Sequence, residues 1–400
     1  MGERIGNQVD LEISNVAHGG VMVARLDGRV VFVSDAIPGE VVRAVITDDS
    51  KEKFWRADTV SVSSPSEHRQ EHIWEAASLS REAGERAGGA EFGHITPAHQ
   101  RELKRRVLTD ALSRMADINS DVVVEPIPGR DDGTGWRTRV HLHVSDSGVL
   151  GPYAARSHRV IPVTELPLAT DRVVAAVPLG TSGNSGPVDI IAPSVGDVQV
   201  LTADSPPVTV RERVGDRQFQ LDAGGFWQVH EHAALTLTSA VQQAFDPALF
   251  DPGAKNLDLY GGVGLLAAAL ADRFPKARIT SVESDAGATR HAMVNLAPLG
   301  AQVVTDRVDR YLNRPATDGT TLAGATVVLD PPRAGAGKGV VKALARLEPA
   351  QLVYVACDPV ALARDLALFQ AAGYRLTGLR AFDLFPNTHH IEAVASLVKA

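Results

Sequence analysis

The sequence predicts an α/β protein with three domains: a small N-terminal β-barrel, a mostly β central domain and a doubly wound C-terminal domain. Two patterns support this class. Alternating apolar and polar residues with turn signals fill the first part of the chain, whereas apolar strands alternate with helical segments after about Gly225. A chain of 400 residues also exceeds what one hydrophobic core usually holds. We place the domains at 1–66, 67–222 and 223–400.

The composition is that of a soluble globular protein, with 44% hydrophobic and 22% charged residues. The single cysteine excludes an internal disulfide framework and suits a reducing compartment. No apolar h-region opens the chain, and the longest apolar run, around LLAAALA, is too short for a membrane span. The net charge of −8 weighs weakly against a nucleic-acid partner. We therefore expect a cytoplasmic protein without a membrane partner.

The N-terminal stretch, from about Val9 to Val62, predicts five or so short β-strands. Turns interrupt it at Gly19-Gly20, Asp27-Gly28 and Pro38-Gly39. Strands of this number and length predict a small barrel of the OB type, an architecture that often binds nucleic acid.

The central region predicts one helix followed by strands. Leu103, Val107, Leu108 and Leu112 recur at helical spacing, which predicts a helix over 97–115 that packs on the C-terminal domain. The same helix carries the basic run HQRELKRRVL. This run is either a nucleic-acid-binding patch or a solvated helix face, and the second is the commoner outcome.

The C-terminal part predicts a Rossmann-like parallel sheet. Its apolar strands are NLDLYG, ARITSVES, GATVVLDPP, QLVYVACDP and EAVASLVKA, within a pattern of alternating strands and helices. Such an alternation gives parallel, doubly wound sheets, which bind ligands beyond the carboxyl ends of their strands. Asp330, Cys357 and the glycine loop described next are therefore expected in one crevice.

A glycine-rich loop follows the first of these strands, in LDLYGGVGLLAAALA. Tyr260 ends the strand, and Gly262 and Gly264 let the backbone turn tightly toward a ligand at a helix N-terminus. Glu283 ends the next strand, where a carboxylate can accept hydrogen bonds from both hydroxyls of a ribose. The pattern fits a dinucleotide such as NAD as well as S-adenosylmethionine.

Two features favour S-adenosylmethionine. Asp258 lies on the strand just before the loop, where its carboxylate can face the ammonium group of the methionine moiety. Asp330 begins the run DPPR after the fourth strand, and an acidic residue followed by two prolines shapes a substrate pocket over a methyl donor. This motif has no place in the NAD pattern, so the sequence favours methyl transfer.

The only cysteine, Cys357, directly follows the strand QLVYVA, at the edge where the ligand is expected. A lone cysteine is most often a small buried apolar residue. Beside a methyl donor it has a chemical use, because C5 of uracil is too weak a nucleophile to take a methyl group directly. A thiolate that adds to C6 makes C5 carbanion-like, and a base must then remove the C5 proton. A free thiol has a pKa of about 8.5, so some activation of Cys357 is expected.

The last strand, in DLFPNTHHIEAVASL, suggests the base. In an extended strand His390, Glu392 and Val394 share one face. A glutamate inside an otherwise apolar strand is costly unless it is paired or functional. An ion pair at the sheet edge is the structural alternative, and with Cys357 nearby we favour the general base.

Several segments closely resemble the RNA uracil-5-methyltransferases: LDPPRAG, ACDPVALARDL and FDLFPNTHHIEAVASL, with GGFWQVH as a further match. The stretch VARLDGRVVFVSDAIPGEVV, preceded by HGG, resembles a TRAM domain, an RNA-binding module. The resemblance covers almost the whole chain. It implies methyl transfer from S-adenosylmethionine to C5 of a uridine in transfer or ribosomal RNA, with Cys357 as nucleophile and Glu392 as general base.

The resemblance also implies roles for binding residues. Arg333 and His390 would position the uracil or a phosphate, and Asp306 would reach the adenine. Because the thiolate attacks the face of the ring, the target base must be flipped out or lie in a loop. The residues predicted to hold the cofactor are Gln228, Tyr260, Gly262, Gly264, Glu283, Asp306 and Asp330.

The chain departs from the family pattern at several positions. Ala356 and Asp358 flank the cysteine where the family has serine and asparagine, and His230 replaces another asparagine. Many members hold an iron–sulfur cluster with a Cys-Gly-Gly-Cys core, and the corresponding stretch here is Ala87-Gly88-Gly89-Ala90. With one cysteine in the chain, no such cluster is expected.

Two other functions stay open on the sequence. The first is an N-methyltransferase acting on a nucleobase or a protein, with Cys357 merely buried. The second is an RNA-binding protein built on an inactive methyltransferase.

Overall fold

The structure is a computed structural model that describes residues 4–179, 185–314 and 322–400. Five strands close the N-terminal barrel: β1 (Gln8–Val16), β2 (Met22–Leu26), β3 (Arg29–Ser34), β4 (Val41–Asp48) and β5 (Phe54–Ser64). They pair in the order β1-β2-β3-β5-β4, and β4 pairs with β1 to complete the ring. Ile13, Val31, Val42 and Ala57 fill its interior with 1% exposure or less. The predicted barrel is confirmed.

The middle of the chain forms a small sheet and a separate hairpin. Its elements are α1 (Pro97–Ala116), β6 (Val124–Glu125), β7 (Arg139–Val144), β8 (Leu150–Gly151), α2 (Asp171–Ala176), β9 (Gly186–Ile191), β10 (Gln199–Thr202), β11 (Thr209–Val214) and β12 (Arg217–Asp222), with 3-10 turns at Glu75–Ala77 and Ala83–Glu85. Strands β10, β9, β7 and β8 make one antiparallel sheet. The β11–β12 hairpin precedes the boundary predicted at 223, yet its Phe219 and Leu221 pack in the core of the C-terminal domain.

The C-terminal domain is a doubly wound sheet, as predicted. Its elements are α3 (Ala233–Ala244), β13 (Asn256–Leu259), α4 (Leu265–Arg273), β14 (Ile279–Glu283), α5 (Ala286–Leu296), β15 (Gln302–Thr305), α6 (Val308–Leu312), β16 (Thr326–Leu329), α7 (Gly337–Leu347), β17 (Gln351–Ala356), α8 (Pro359–Ala371), β18 (Tyr374–Phe382) and β19 (Glu392–Lys399), with 3-10 turns at Pro247–Leu249 and Ala297–Leu299. The strand order is β15-β14-β13-β16-β17-β19-β18-β6. Every residue of β13, β16 and β17 is buried, because helices cover both faces. In the described ranges, no helix is long and apolar enough to cross a bilayer.

The last two strands of this domain depart from the prediction. Strand β18 was not expected, since Arg375, Thr377 and Arg380 interrupt the apolar pattern by which the other strands were identified. Strand β19 runs antiparallel to both β17 and β18. It also begins at Glu392, so His390 lies in the preceding loop and does not share a strand face with Glu392.

Helix α1 is a buried element that holds the three domains together. Leu103 packs in the barrel core, whereas Leu108 and Leu112 pack in the C-terminal core beside α8. The interpretation of HQRELKRRVL as a solvated face is therefore wrong at Lys104, whose side chain is 0% exposed. Its Nζ lies 2.5 Å from Oδ1 of Asp383, the first residue of the loop that precedes β19.

We expect Lys104→Ala to lower the free energy of unfolding by about 3–5 kcal/mol, because it leaves the Asp383 carboxylate buried without its partner. The control is Arg105→Ala, which removes a half-exposed ion pair with Glu102 on the same helix and should cost at most about 1 kcal/mol. Urea unfolding followed by circular dichroism measures both. Equal losses for the two variants would contradict a structural role for the Lys104–Asp383 pair.

Candidate active site

The candidate site lies where four strand ends meet at one edge of the sheet. Strands β13, β16 and β17 are parallel, so their carboxyl ends share this edge, and the antiparallel β19 begins there. Asp330 follows β16, Cys357 follows β17 and Glu392 is the first residue of β19. The sheet therefore brings together the three predicted residues that carry the chemistry.

The register of β17 with β19 places Cys357 beside Glu392. Ala356 pairs with Ala393, so the next residue in one strand and the preceding residue in the other are neighbours beyond the last rung. Glu392 is 4% exposed, whereas Cys357 is half-buried and opens into a pocket. The charge of Glu392 contributes to the raised pKa of the cysteine, which is consistent with their proximity.

The pocket around Cys357 has a volume of about 230 Å³ and combines residues of all three domains. Arg333 and His390 both line it, with the guanidinium Nη2 3.4 Å from Nε2 of the imidazole. Burial, together with His389 and Arg333, lowers the pKa of His390 to about 3, so this imidazole is neutral. Lining residues also come from the barrel loop and from α1: His18, Gly19, Gly20, Leu103, Lys104 and Val107.

The electrostatics of the site oppose ionisation of the thiol. Burial is the main cause, and the carboxylates of Glu392 and Asp330 add to it, so that the pKa of Cys357 rises to about 12. Arg333 is a nearby cation that acts in the other direction. The activation that the sequence led us to expect is therefore absent in the ligand-free protein, where Cys357 is a protonated thiol at neutral pH.

Three carboxyl groups at this edge all have raised pKa values. Burial raises the pKa of Asp258 to about 7, and Glu283 adds to the effect. Burial and the neighbouring Asp258 raise the pKa of Asp330 to about 7. Burial and Asp330 likewise raise that of Glu392 well above its usual range. Like charges in a poorly solvated site disfavour one another, so the site favours a cationic ligand.

Asp258, just before the glycine loop, makes hydrogen bonds to helix α4 and strand β14. Its Oδ2 accepts hydrogen bonds from the Ala267 amide at 3.1 Å and from Oγ of Ser281 at 3.0 Å. A Cβ at Gly261 would lie 2.0 Å from that same Ser281 oxygen, so only glycine fits there. The other carboxylate oxygen, Oδ1, is buried and has no hydrogen-bond partner among the described residues.

The loop itself leaves open space for a ligand. Gly262 has a φ of +53°, and a Cβ built there would meet no atom within 4 Å. Gly264 has a φ of +98° and caps α4, with Leu296 packed against it. Tyr260 is half-buried at the start of the loop, and burial raises its pKa to about 12.

The two predicted acidic residues at the neighbouring strand ends are occupied by protein contacts. Oε2 of Glu283 accepts from the Gly262 amide at 3.1 Å, and Oε1 accepts from the amides of Ser284 and Asp285. Oε2 retains a free lone pair for a ribose hydroxyl. Asp306 is 8% exposed and accepts a hydrogen bond from Arg314 at 2.5 Å, so its carboxylate is already paired.

Gln228 lines a different cavity from Cys357. It is half-buried and lines a separate cavity of about 540 Å³, together with Trp227 and His230. It does not line the pocket of Cys357. Burial lowers the pKa of His230 to about 3, and its ring stacks on Trp136 with centroids 5.4 Å apart.

The residues present fit S-adenosylmethionine. This ligand carries an ammonium and a sulfonium group, and the site offers the buried carboxyl groups of Asp258 and Glu392 with the half-buried one of Asp330. Oδ1 of Asp258 has no hydrogen-bond partner among the described residues. The open side of Gly262 and the carboxylate of Glu283 supply a cradle and an acceptor for a nucleoside. The fit therefore rests on the negative charge of the carboxyl groups and on the open space beside Gly262.

Some residues that shape the site were not identified from the sequence. Nε2 of His18, in the barrel loop, lies 2.7 Å from Oδ2 of Asp358, and this hydrogen bond raises the pKa of His18. Oδ1 of Asp358 caps α8 by accepting from the amides of Val360 and Ala361. The departure from asparagine at Asp358 is thus accompanied by an ion pair with the barrel.

The loop before β19 is fixed by α1. Gln100 donates to Oδ1 of Asn387 at 2.8 Å and accepts from the Asn387 amide at 2.8 Å. A signal for this contact exists in the sequence, because Gln100 and Lys104 fall at helical spacing with the apolar Leu108. Because both side chains are polar, their burial was not predicted from the sequence.

Comparisons with known proteins agree with this architecture. Residues 248–400 match the family described as tRNA (uracil-5-)-methyltransferase, and residues 3–60 match the TRAM domain. The chain is 36% identical to an uncharacterized RNA methyltransferase of Streptomyces coelicolor, covering 99% of this chain and 94% of the relative. It is 32% identical to one of Bifidobacterium longum, covering 98% and 97%.

A solved structure supports the same fold. The tRNA (uracil-54, C5)-methyltransferase of Pyrococcus abyssi, crystallised with S-adenosyl-L-homocysteine, matches 98% of this chain and 100% of its own with a TM-score of 0.70 and 22% identity. The predicted TRAM domain and methyltransferase fold are confirmed. By the family match and the relatives that span its length, the chain belongs to the tRNA (uracil-5-)-methyltransferase family and is an S-adenosylmethionine-dependent RNA methyltransferase.

Proposed function

We propose that this enzyme methylates C5 of a uridine in transfer or ribosomal RNA through a covalent bond between Sγ of Cys357 and C6 of the uracil. The observation that carries the proposal is the β17–β19 register: Ala356 pairs with Ala393, so Cys357, which lines the pocket, and the buried Glu392 are neighbours just beyond that pair. An enzyme that methylates a nitrogen needs neither a cysteine nor a second carboxyl group at this place.

The chemistry balances with the residues of the site. The Cys357 thiolate bonds to C6, and the C5–C6 π electrons move onto the C4 carbonyl as an enolate. Bound S-adenosylmethionine would supply the methyl group as an electrophile: the C5–methyl bond would form as its S–methyl bond breaks, leaving S-adenosylhomocysteine. Glu392 then takes the C5 proton, the C5–C6 double bond re-forms and the C6–S bond breaks, which returns the thiolate.

The raised pKa values suit this sequence of steps. A carboxylate whose pKa is raised by burial is a stronger base, which helps Glu392 to remove a carbon-bound proton. The thiol must lose its proton when the substrates bind. The cations available for this are Arg333, whose charge lowers the pKa of Cys357, and the sulfonium group of the donor, which offsets Asp330 and Glu392.

The RNA reaches the pocket beside the TRAM barrel. His18, Gly19 and Gly20 belong to the barrel and line the pocket of Cys357, so an RNA bound there would touch the barrel. The pocket holds about 230 Å³, which suits a single base taken out of its stack. Transcripts of transfer RNA and ribosomal RNA, assayed side by side, decide the class of RNA.

A second candidate is an N-methyltransferase that acts on a nucleobase or a protein and uses Cys357 only for packing. The pKa of about 12 makes the resting thiol unreactive, which is the observation that favours this candidate. It predicts that Cys357→Ala keeps most of the methyl-transfer activity.

RNA that contains 5-fluorouracil separates the two candidates. Fluorine at C5 cannot leave as a proton does, so the covalent mechanism predicts a protein–RNA adduct at Cys357 that forms only with the methyl donor. Denaturing gel electrophoresis and mass spectrometry of the modified peptide measure it. Cys357→Ala should abolish both the adduct and methylation, and methylation retained by this variant would contradict the mechanism.

With Glu392→Gln, we expect ordinary RNA to stay covalently attached to the enzyme. Without the base, the methylated intermediate keeps its C5 proton, so the adduct should accumulate while release of 5-methyluridine falls about a hundredfold or more. The matched control is Glu348→Gln, an exposed residue after α7 that should leave turnover unchanged. Normal turnover by Glu392→Gln, measured by nucleoside analysis, would remove Glu392 from the mechanism.

Alkylation by iodoacetamide reports directly on the thiol, because the chain has a single cysteine. Since the pKa of Cys357 is about 12, the thiolate fraction and the alkylation rate should rise about tenfold per pH unit from pH 7 past pH 9, without a plateau. Mass spectrometry of the quenched protein follows the reaction. A plateau at or below pH 8.5 would show that the thiol is activated before any ligand binds.

Gly261→Ala tests the cofactor cradle. The added Cβ would lie 2.0 Å from Oγ of Ser281, so the loop must shift and the affinity for S-adenosylhomocysteine should fall at least about tenfold. Gly339→Ala is the matched control, because that glycine lies in helix α7 with no atom within 4 Å of an added Cβ. Isothermal titration calorimetry measures both, and equal affinities would place the cofactor elsewhere.

A further inference from the structure

A further cavity lies between the TRAM barrel and the central domain, and we call it the interdomain cavity. Its volume is about 660 Å³, within the usual range for ligand sites of about 300–1,000 Å³. It shares Gly19, Gly20 and His389 with the pocket of Cys357, so the two spaces adjoin. The catalytic chemistry proposed above uses none of its other residues.

The walls of the interdomain cavity carry polar groups without partners. Among the described residues, Nε1 of Trp74, Oε2 of Glu91 and Nδ1 of His389 are buried and make no hydrogen bond. Oε2 of Glu91 and Nδ1 of His389 lie 3.6 Å apart, which is within ion-pair distance but too far for a hydrogen bond, so both atoms can still bind a ligand. Buried polar groups are normally satisfied, so several unsatisfied groups at one cavity point to a polar ligand.

A cation lines the same cavity. Arg137 donates from Nε to the carbonyl oxygen of Arg139 at 2.9 Å, and no carboxylate in the described part of the chain forms an ion pair with it. Its pKa is lowered by burial, which shows that the charge is poorly solvated. By contrast, Arg86 and Arg156 in the same cavity are paired with Asp35 and Asp58.

The Glu91 carboxylate is ionised and can accept hydrogen bonds from a ligand in the interdomain cavity. Burial by itself would raise its pKa, but the interaction with His389 brings the pKa of Glu91 down to about 2. Its Oε1 accepts from the Gly89 amide at 3.2 Å, and 37% of the side chain remains exposed. Gly89 belongs to the Ala87–Ala90 stretch, which forms part of the cavity wall.

We propose that the interdomain cavity binds a nucleotide that flanks the target uridine in the RNA, and that it selects guanine or cytosine. Glu91 accepts a hydrogen bond from the exocyclic amino group, Nε1 of Trp74 donates to the keto oxygen, and Arg137 binds the phosphate. Adenine has no keto oxygen and uracil has no amino group, so each leaves one wall group unpaired. This inference rests on the proposed function, because it requires an RNA whose target base occupies the neighbouring pocket.

The test uses RNA with 5-fluorouridine at the target, in which the flanking nucleotides are replaced one at a time. The rate of adduct formation should drop about tenfold at one flanking position when guanine or cytosine is replaced by adenine or uracil. Glu91→Gln should relax this preference, because an amide both donates and accepts and can therefore bind uracil. Trp74→Phe removes only one N–H donor and should slow the reaction with the preferred RNA.

Trp136→Phe is the matched control, because Nε1 of Trp136 is also buried without a partner but does not line the interdomain cavity. It should leave the base preference unchanged, and binding of S-adenosylhomocysteine verifies that each variant is folded. A rate that is indifferent to every flanking base, a preference for adenine or uracil, or a preference that Glu91→Gln leaves intact would overturn the inference. Failure of the wild-type enzyme to form any adduct would instead contradict the proposed function, and this inference with it.

Discussion

The pairing of β19 with β17 is the constraint on which the candidate site depends. In an all-parallel sheet the first residue of the last strand would lie at the amino edge, a full strand length away from the ligand edge. Because β19 runs antiparallel, its first residue, Glu392, lies beside the residue that follows β17, which is Cys357. Strand β18 and the loop before β19 supply the chain reversal that this pairing needs. A thiol and a carboxyl group from distant parts of the sequence are thereby held side by side by backbone hydrogen bonds.

The second constraint is electrostatic. The sheet edge concentrates Asp258, Asp330 and Glu392 in a poorly solvated space, and the acidity of each is suppressed by burial and by its neighbours. The same environment keeps Cys357 protonated. A cationic ligand bound at this edge would relieve the repulsion, which is the electrostatic basis of the mechanism proposed above. A thiol that stays protonated until the substrates arrive is also protected from oxidation and alkylation.

The three domains build the pocket jointly. The barrel contacts Asp358, the residue after Cys357, through a hydrogen bond from His18, and Gly20 lies so close to His389 that a Cβ there would clash at 2.4 Å. Helix α1 fixes the loop before β19 through Gln100 and Lys104. In the Ala87–Ala90 stretch, Ala87 and Ala90 are buried and Gly88 donates to the carbonyl oxygen of Tyr153. Packing and backbone hydrogen bonds join this stretch to the rest of the protein.

The sequence by itself determined the barrel, the doubly wound sheet and the position of the glycine loop, because apolar periodicity and glycine turns are local signals. It also placed Asp330 and Cys357 with the glycine loop, since the carboxyl ends of parallel strands share an edge, and it suggested Glu392 because a glutamate is unusual inside an apolar strand. Only the tertiary structure decided the direction of β19, the burial of Lys104, the separation of Gln228 from the Cys357 pocket and the pairing of Asp306 with Arg314. The thiol pKa was likewise decided there, because it depends on how many carboxyl groups surround the sulfur and how little water reaches it. Such quantities are set by residues far apart in the chain, and no local pattern encodes them.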